Sequence, residues 1–141
     1  MYKRQPGAWN FSDLHTDDPA GVDFYEQVFG WSVDRTEGAT FLKVPGYGDH
    51  LAATVDPDIH ERQAAAPPGF ADVIGGVAPT DRGLAPHWHV TFTVADRDAA
   101  AAMAKAAGAS VLGTSEDRWT RKAMICDPQG AIFSLSEFLG A

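Results

Sequence analysis

The sequence holds one cysteine, Cys126, so no disulfide can close within the chain. A lone thiol suits a reducing, cytoplasmic setting. No apolar run approaches the roughly 18 residues of a membrane span. The start, "MYKRQPGAWNF", carries two basic residues and no apolar leader core, so neither a membrane partner nor a secretory signal is expected. Positive charge is scarce: 11 Lys and Arg stand against 19 Asp and Glu, a formal net charge of -8. Phosphate backbones are gripped by clustered Lys and Arg, so nucleic acid is not an expected partner. There is no phosphate loop, no dinucleotide fingerprint and no Ser-His-Asp logic. The adjacent glycines of "DVIGGVAP" lack the required spacing.

What is present is a chain of 141 residues, 45% hydrophobic and 21% charged, which reads as one soluble globular domain with a real core. Residues 8–16, "AWNFSDLHT", alternate as a strand. "DDPAGVDFYEQVFG" follows as a helix: Asp17 or Asp18 can cap it, Pro19 suits its first turn and Gly30 can end it. Val22, Tyr25, Val28 and Phe29 fall at helical spacing and are expected to form its buried face. "WSVDRT", "TFLKVPG" and "HLAATVD" read as three short strands.

The second half repeats that order. "HWHVTFTV" reads as a strand, "DRDAAAAMAKAAGA" as a helix, and "SVLGTSED", "RKAMICD" and "AIFSLSEF" as strands. Sliding the chain on itself by 78 positions pairs Asp18 with Asp96, Gly30 with Gly108, Ser32 with Ser110 and Val33 with Val111. Two βαβββ units follow, the first over residues 8–56 and the second over 87–138, within a single domain of residues 1–141. Residues 57–86, rich in Pro, Gly and Ala, read as a linker. A flap over a ligand site is the alternative, and "FADVIGGV" could add an edge strand.

Two such units resemble the vicinal oxygen chelate superfamily, also called glyoxalase / bleomycin-resistance protein / extradiol dioxygenase. "FYEQVFGW", residues 24–31, is similar to its helix-to-strand signature, and "CDPQGAIFSL", residues 126–135, to its turn before the last strand. The resemblance implies an α+β fold in which the two modules form an open barrel lining a cleft. Helices cover the convex face, so strand residues alternate between helix-packed and cleft-facing. Val90, Phe92 and Val94 should meet the helix, leaving His87, His89, Thr91 and Thr93 toward the cleft. Ser12 and Leu14 should pack, leaving Phe11, Asp13 and His15 toward the cleft. On the last strand, Ser134 and Ser136 take the cleft side.

The resemblance also implies a divalent metal held by the first and last strands of each unit. His89 occupies such a position, but its counterpart is Phe11, the last-strand position is Ser134, and the first unit offers Ala52, Ala53 and Thr54. A metal needs at least three protein ligands. His87, His89, Asp13 and His15 project to one side by alternation, but need not converge. No metal and no cofactor are therefore expected. His50 and His60 read as surface residues, Cys126 as an inert thiol, and Glu137 as exposed.

The expected ligand-binding set is Phe11, Asp13, His87, His89, Thr91, Trp119, Ser134 and Ser136. Aromatic rings with a few polar groups suit a small, planar organic ligand. The expected function is small-molecule binding without the usual metal. The alternative is a lyase, isomerase or dioxygenase with an altered metal site, or with metal-free acid–base chemistry. A structural module with a vestigial cleft is the third reading. The resemblance further implies a homodimer, which would bury aromatics such as Trp9 and Trp88.

Overall fold

The computed structural model describes residues 5–18, 20–36, 38–80 and 83–140; Pro19, assigned above to a helical turn, lies outside them. Strands and helices alternate as β1 (Trp9–His15), α1 (Ala20–Phe29), β2 (Ser32–Thr36), β3 (Ala39–Lys43), α2 (Tyr47–Thr54), α3 (Ile59–Arg62), β4 (Val73–Ala78), β5 (His87–Val94), α4 (Arg97–Ala106), β6 (Ser110–Glu116), β7 (Thr120–Cys126) and β8 (Ile132–Phe138). The fold is α+β, built from two βαβββ modules, with strand order β2-β3-β4-β1 in the first and β5-β8-β7-β6 in the second. The chain divides into two compact units, Asp13–Trp88 and a second that joins the N-terminal stretch through Ser12 to the chain from His89 onward. β1 and β5 are continuous strands with residues in both.

In the first unit, β1 runs parallel to β4 with Leu14 beside Val77, while β3 pairs antiparallel with both β2 and β4. Leu14, Val22 and Leu42 form its buried core, with Tyr25, Trp31, Val33, Ile74 and Val77 against them. The helix start follows the sequence: Asp18 Oδ1 accepts from Ala20 N–H at 2.9 Å. Asp17 does something else, taking the Thr80 N–H at 3.0 Å. Gly30, at φ 67°, ends α1 in the left-handed region. Two expectations need correction. Val28 and Phe29 are 53% and 58% exposed, so the buried face of α1 is narrower than its apolar face. Residues 47–54 are helix α2, so "HLAATVD" is not a strand. The fourth strand of the first module is β4, inside the stretch read as a linker. It sits between β3 and β1, not at an edge.

The second unit matches its sequence pattern more closely. β5 runs parallel to β8, and β7 pairs antiparallel with β8 and β6. Asp96 caps α4 by accepting from Ala99 N–H at 2.8 Å, and Gly108 leaves the helix at φ 94°. Ala101, Ala123, Ile125 and Leu135 are buried together, with Phe92, Val94 and Phe133 against them. This confirms the helix-packed side of β5 and β8. Glu137 is corrected from exposed to largely buried. Its Oε2 accepts the Arg97 N–H at 2.9 Å and faces the Arg121 guanidinium at 3.5 Å. An acid at a helix N-terminus is stabilised there by the unpaired amides.

Candidate functional site

The opposite face of β5 and β8 is polar and buried. His89, Thr91, Thr93, Ser134 and Ser136 are only 2%, 6%, 6%, 8% and 2% exposed. Ladder register sets Thr91 beside Ser134 and Thr93 beside Ser136. His89 Nε2 and Ser134 Oγ are hydrogen-bonded at 2.8 Å. Thr93 Oγ1 is buried without a hydrogen-bond partner among the described residues. Buried polar atoms are normally paired, and each exception calls for an explanation such as a bound ligand or water.

The repeat locates the equivalent positions in the first module. At the 78-residue offset, Phe92 matches Leu14 and Thr93 matches His15. Leu135 pairs with Phe92 and Val77 with Leu14, so Ser134 corresponds to Gly76. The position assigned above to Ala52, Ala53 and Thr54 therefore moves to Gly76, because those three residues lie in α2. The positions to which the resemblance assigns metal ligands carry Phe11, Gly76, His89 and Ser134. They offer a phenyl ring, no side chain, one imidazole and a hydroxyl bonded to that imidazole. This set does not fit a metal.

Asp13, expected to face a ligand, gives its carboxylate to the backbone: Oδ1 accepts from Gly76 N–H at 2.8 Å. His15 and His87 lie together in the first unit, with ring centroids 5.1 Å apart and planes at 47°. His87 Nδ1 donates to the Ala85 carbonyl at 2.8 Å. His89 follows two residues later on the same face of β5.

Trp119 does not join this group. It sits in the β6–β7 turn with the Arg118 guanidinium 4.8 Å over its ring. It is five residues along the chain from Met124, the ladder partner of Ser134, about 17 Å of strand. Phe11 is half-buried on β1. In the first unit Tyr25 stacks on Trp31, and Trp88 Nε1 donates to Tyr25 Oη at 3.0 Å. The stretch after α2 lines a groove bounded by Asp49, His60, Pro68, Phe70 and Asp72. Its His60–Asp49 contact is open to solvent, at 54% and 87% exposure. Sequence reasoning placed His60 on the surface and missed its partner, since nothing in the sequence marked 47–54 as helix.

Electrostatic shifts fall on the edge of the second unit. Asp98 lies below its ordinary value, chiefly through the hydrogen bond from Arg97, and Arg121 is raised, chiefly by Asp98. Partial burial pushes the Asp117 carboxyl up, but the N–H groups of Trp119 and Thr120 outweigh it and the net shift is downward.

These features define a chain of the vicinal oxygen chelate superfamily. The model of the Glyoxalase-like domain matches residues 11–136, and the chain belongs to that family. A Mycobacterium tuberculosis (strain CDC 1551 / Oshkosh) protein named "Putative glyoxylase CFP32" is 48% identical over 130 residues, covering 90% of this chain and 42% of that protein. The "Anthracycline biosynthesis protein DauV" of Streptomyces sp. (strain C5) is 30% identical over 141 residues, covering 96% of this chain and 48% of that protein. The chain thus spans less than half the length of these curated relatives. Among solved structures, TnmS3, an antibiotic binding protein from Streptomyces sp. CB03234, aligns over 98% of both chains at 20% identity and a TM-score of 0.31.

Proposed function

We propose that this domain binds a small organic molecule against the polar face of β5 and β8, with no metal at the family's four usual positions. One observation carries the reading: five polar side chains, His89, Thr91, Thr93, Ser134 and Ser136, are buried on a single face. Burying hydroxyls costs about 1–3 kcal/mol each where hydrogen bonding is incomplete. A fold that needed only stability would place apolar side chains there, as it does on the helix side of the same strands. Hydroxyls and an imidazole can orient a ligand's carbonyl, hydroxyl or carboxylate oxygens. The relative named for anthracycline biosynthesis supports a planar aromatic ligand with polar edges.

Among the described residues no helix is long and apolar enough to cross a membrane. The free thiol of Cys126 suits a cytoplasmic setting, which cell fractionation checks. Saturation-transfer NMR against a panel of planar aromatic acids and phenols tests the binding reading. Signals should appear with the wild type and fade by about tenfold in affinity when Ser134→Ala or Thr93→Val removes a hydroxyl, each hydrogen bond being worth about 1.5 kcal/mol at most. Binding that ignores both substitutions would move the site elsewhere. A second reading, acid–base catalysis at the same place, is favoured by the buried His89 imidazole hydrogen-bonded to Ser134.

A further inference from the structure

We infer that Asn10 and Thr93 form a hydroxyl-selective subsite on the polar face, taking a phenol or alcohol group of the ligand in preference to a carboxylate or a quinone carbonyl. The inference rests on the ligand-binding reading and names the ligand group that reading leaves open.

Local pairing puts Asn10 on that face. The Gly7 N–H donates to the Thr93 carbonyl at 2.8 Å, and the Thr93 N–H donates to the Ala8 carbonyl at 2.9 Å. Gly7 stands at φ 85°. Two residues of one strand set against one of its antiparallel neighbour, with a left-handed glycine first, make a β-bulge. Ala8 therefore lies opposite Thr93, Trp9 opposite Phe92 and Asn10 opposite Thr91. The rings agree with this register: Trp9 and Phe92 meet edge to face, 5.8 Å between centroids. Trp9 thus shares the helix-packed side of Phe92, and Asn10, the next residue, takes the side of Thr91 and Thr93. Phe11 returns to the Trp9 side by the same alternation. Every residue in this register belongs to the second compact unit.

The chemistry of the pair selects the ligand group. Asn10 Oδ1 and Thr93 Oγ1 are both buried without a hydrogen-bond partner among the described residues. Buried polar atoms are normally paired, so two orphans on one face of one strand pair call for a shared partner. Diagonal neighbours across an antiparallel pair lie about 7–8 Å apart, and side-chain length brings their polar tips within reach of one ligand atom. An amide oxygen can only accept, whereas a threonine hydroxyl has a proton to donate. A ligand hydroxyl answers both, donating to Asn10 Oδ1 and accepting from Thr93 Oγ1. A carboxylate or a quinone carbonyl has no proton to give Asn10.

Isothermal titration calorimetry with 1-naphthol, its methyl ether and 1-naphthoate tests this. Wild type should bind 1-naphthol at least about tenfold more tightly than the ether, and 1-naphthoate no more tightly than the ether. Asn10→Leu keeps the side-chain bulk and removes the acceptor. It should weaken 1-naphthol about tenfold and leave the ether unchanged, so the preference collapses. Circular dichroism checks that the variant is folded; if it is not, the wild-type ranking carries the test. Equal affinities for 1-naphthol and its ether in wild type overturn the inference. So does tighter binding of 1-naphthoate, which would mean that the amide N–H meets the ligand. A folded Asn10→Leu that keeps the preference also overturns it, and assigns the two atoms to a bridging water. In those outcomes a ligand still binds, and the binding reading stands. A wild type that binds none of the three overturns the inference, and the wider NMR panel then decides the binding reading by itself.

Discussion

Asp13 Oδ1 accepts the backbone N–H of Gly76 at 2.8 Å, and a Cβ built on Gly76 would lie 2.9 Å from that same oxygen. The carboxylate thus occupies the space that a side chain at the family's fourth-strand position would need. Gly76→Ala should cost about 1–3 kcal/mol, the usual range for overpacking. Urea unfolding with unchanged slope would measure it. Shortening the acid should relieve the clash, so Asp13→Ala together with Gly76→Ala should cost less than the sum of the two. Strict additivity would sink the steric account.

Gly48 opposes two effects. Alanine favours a helix interior over glycine by about 1 kcal/mol. A Cβ there would lie only 2.5 Å from the Ala71 Cβ and 3.2 Å from the Ala71 backbone carbon. The neighbour is a short side chain on backbone that must move, so sterics should win. Gly48→Ala is expected to lower the thermal midpoint, and a rise would show that the segment 70–72 yields freely.

Asp117 sets an acid-sensitive contribution. Its carboxylate takes N–H groups of Trp119 and Thr120 at 2.7 Å each, and the Thr120 hydroxyl at 2.9 Å. Its folded pKa lies below the ordinary 3.8. The stability it supplies is therefore present above that value and lost as the pH falls through the folded pKa. Asp117→Asn should be less stable than wild type at about pH 6, and the gap should narrow below about pH 4. Thermal melts across that range would show a constant gap if the turn hydrogen bonds do not depend on charge.

Association is expected through exposed aromatics of the first unit. Phe24 and Phe29 are 60% and 58% exposed, and Trp88 38%. Light scattering at micromolar concentration should give twice the 15.1 kDa chain mass. Phe24→Ser with Phe29→Ser should return it to a monomer. A monomeric wild type rejects the dimer.

Much of the fold could be read from local chemistry. Asp18 with Gly30, and Asp96 with Gly108, marked two helix starts and stops, and both pairs act as read. The alternation in "HWHVTFTV" put Phe92 and Val94 on the helix-packed side, where they are found, because a strand has period two whatever surrounds it. The first module's last strand was misread. "HLAATVD" has no strong period, and α2 is fixed by Asp72 Oδ1 accepting the Gly48 N–H at 2.7 Å, a partner 24 residues away. "FADVIGGV" read as part of a linker that could add an edge strand, since its glycines pack nothing themselves. Its place beside β1 rests on the parallel pairing of Leu14 with Val77 and His15 with Ala78, which joins residues far apart in the chain.

The sequence by itself determined the repeat, the helix ends and the helix-facing sides of β5 and β8. Those follow from residue type and spacing, which act over a few residues. Only the tertiary structure decided that Ser134 bonds His89, that Asp13 turns to the backbone, and that His15 meets His87. These contacts join residues 45, 63 and 72 positions apart, and no local preference encodes them. They exist because strand pairing fixes register over the whole ladder, and register selects which side chains share a face.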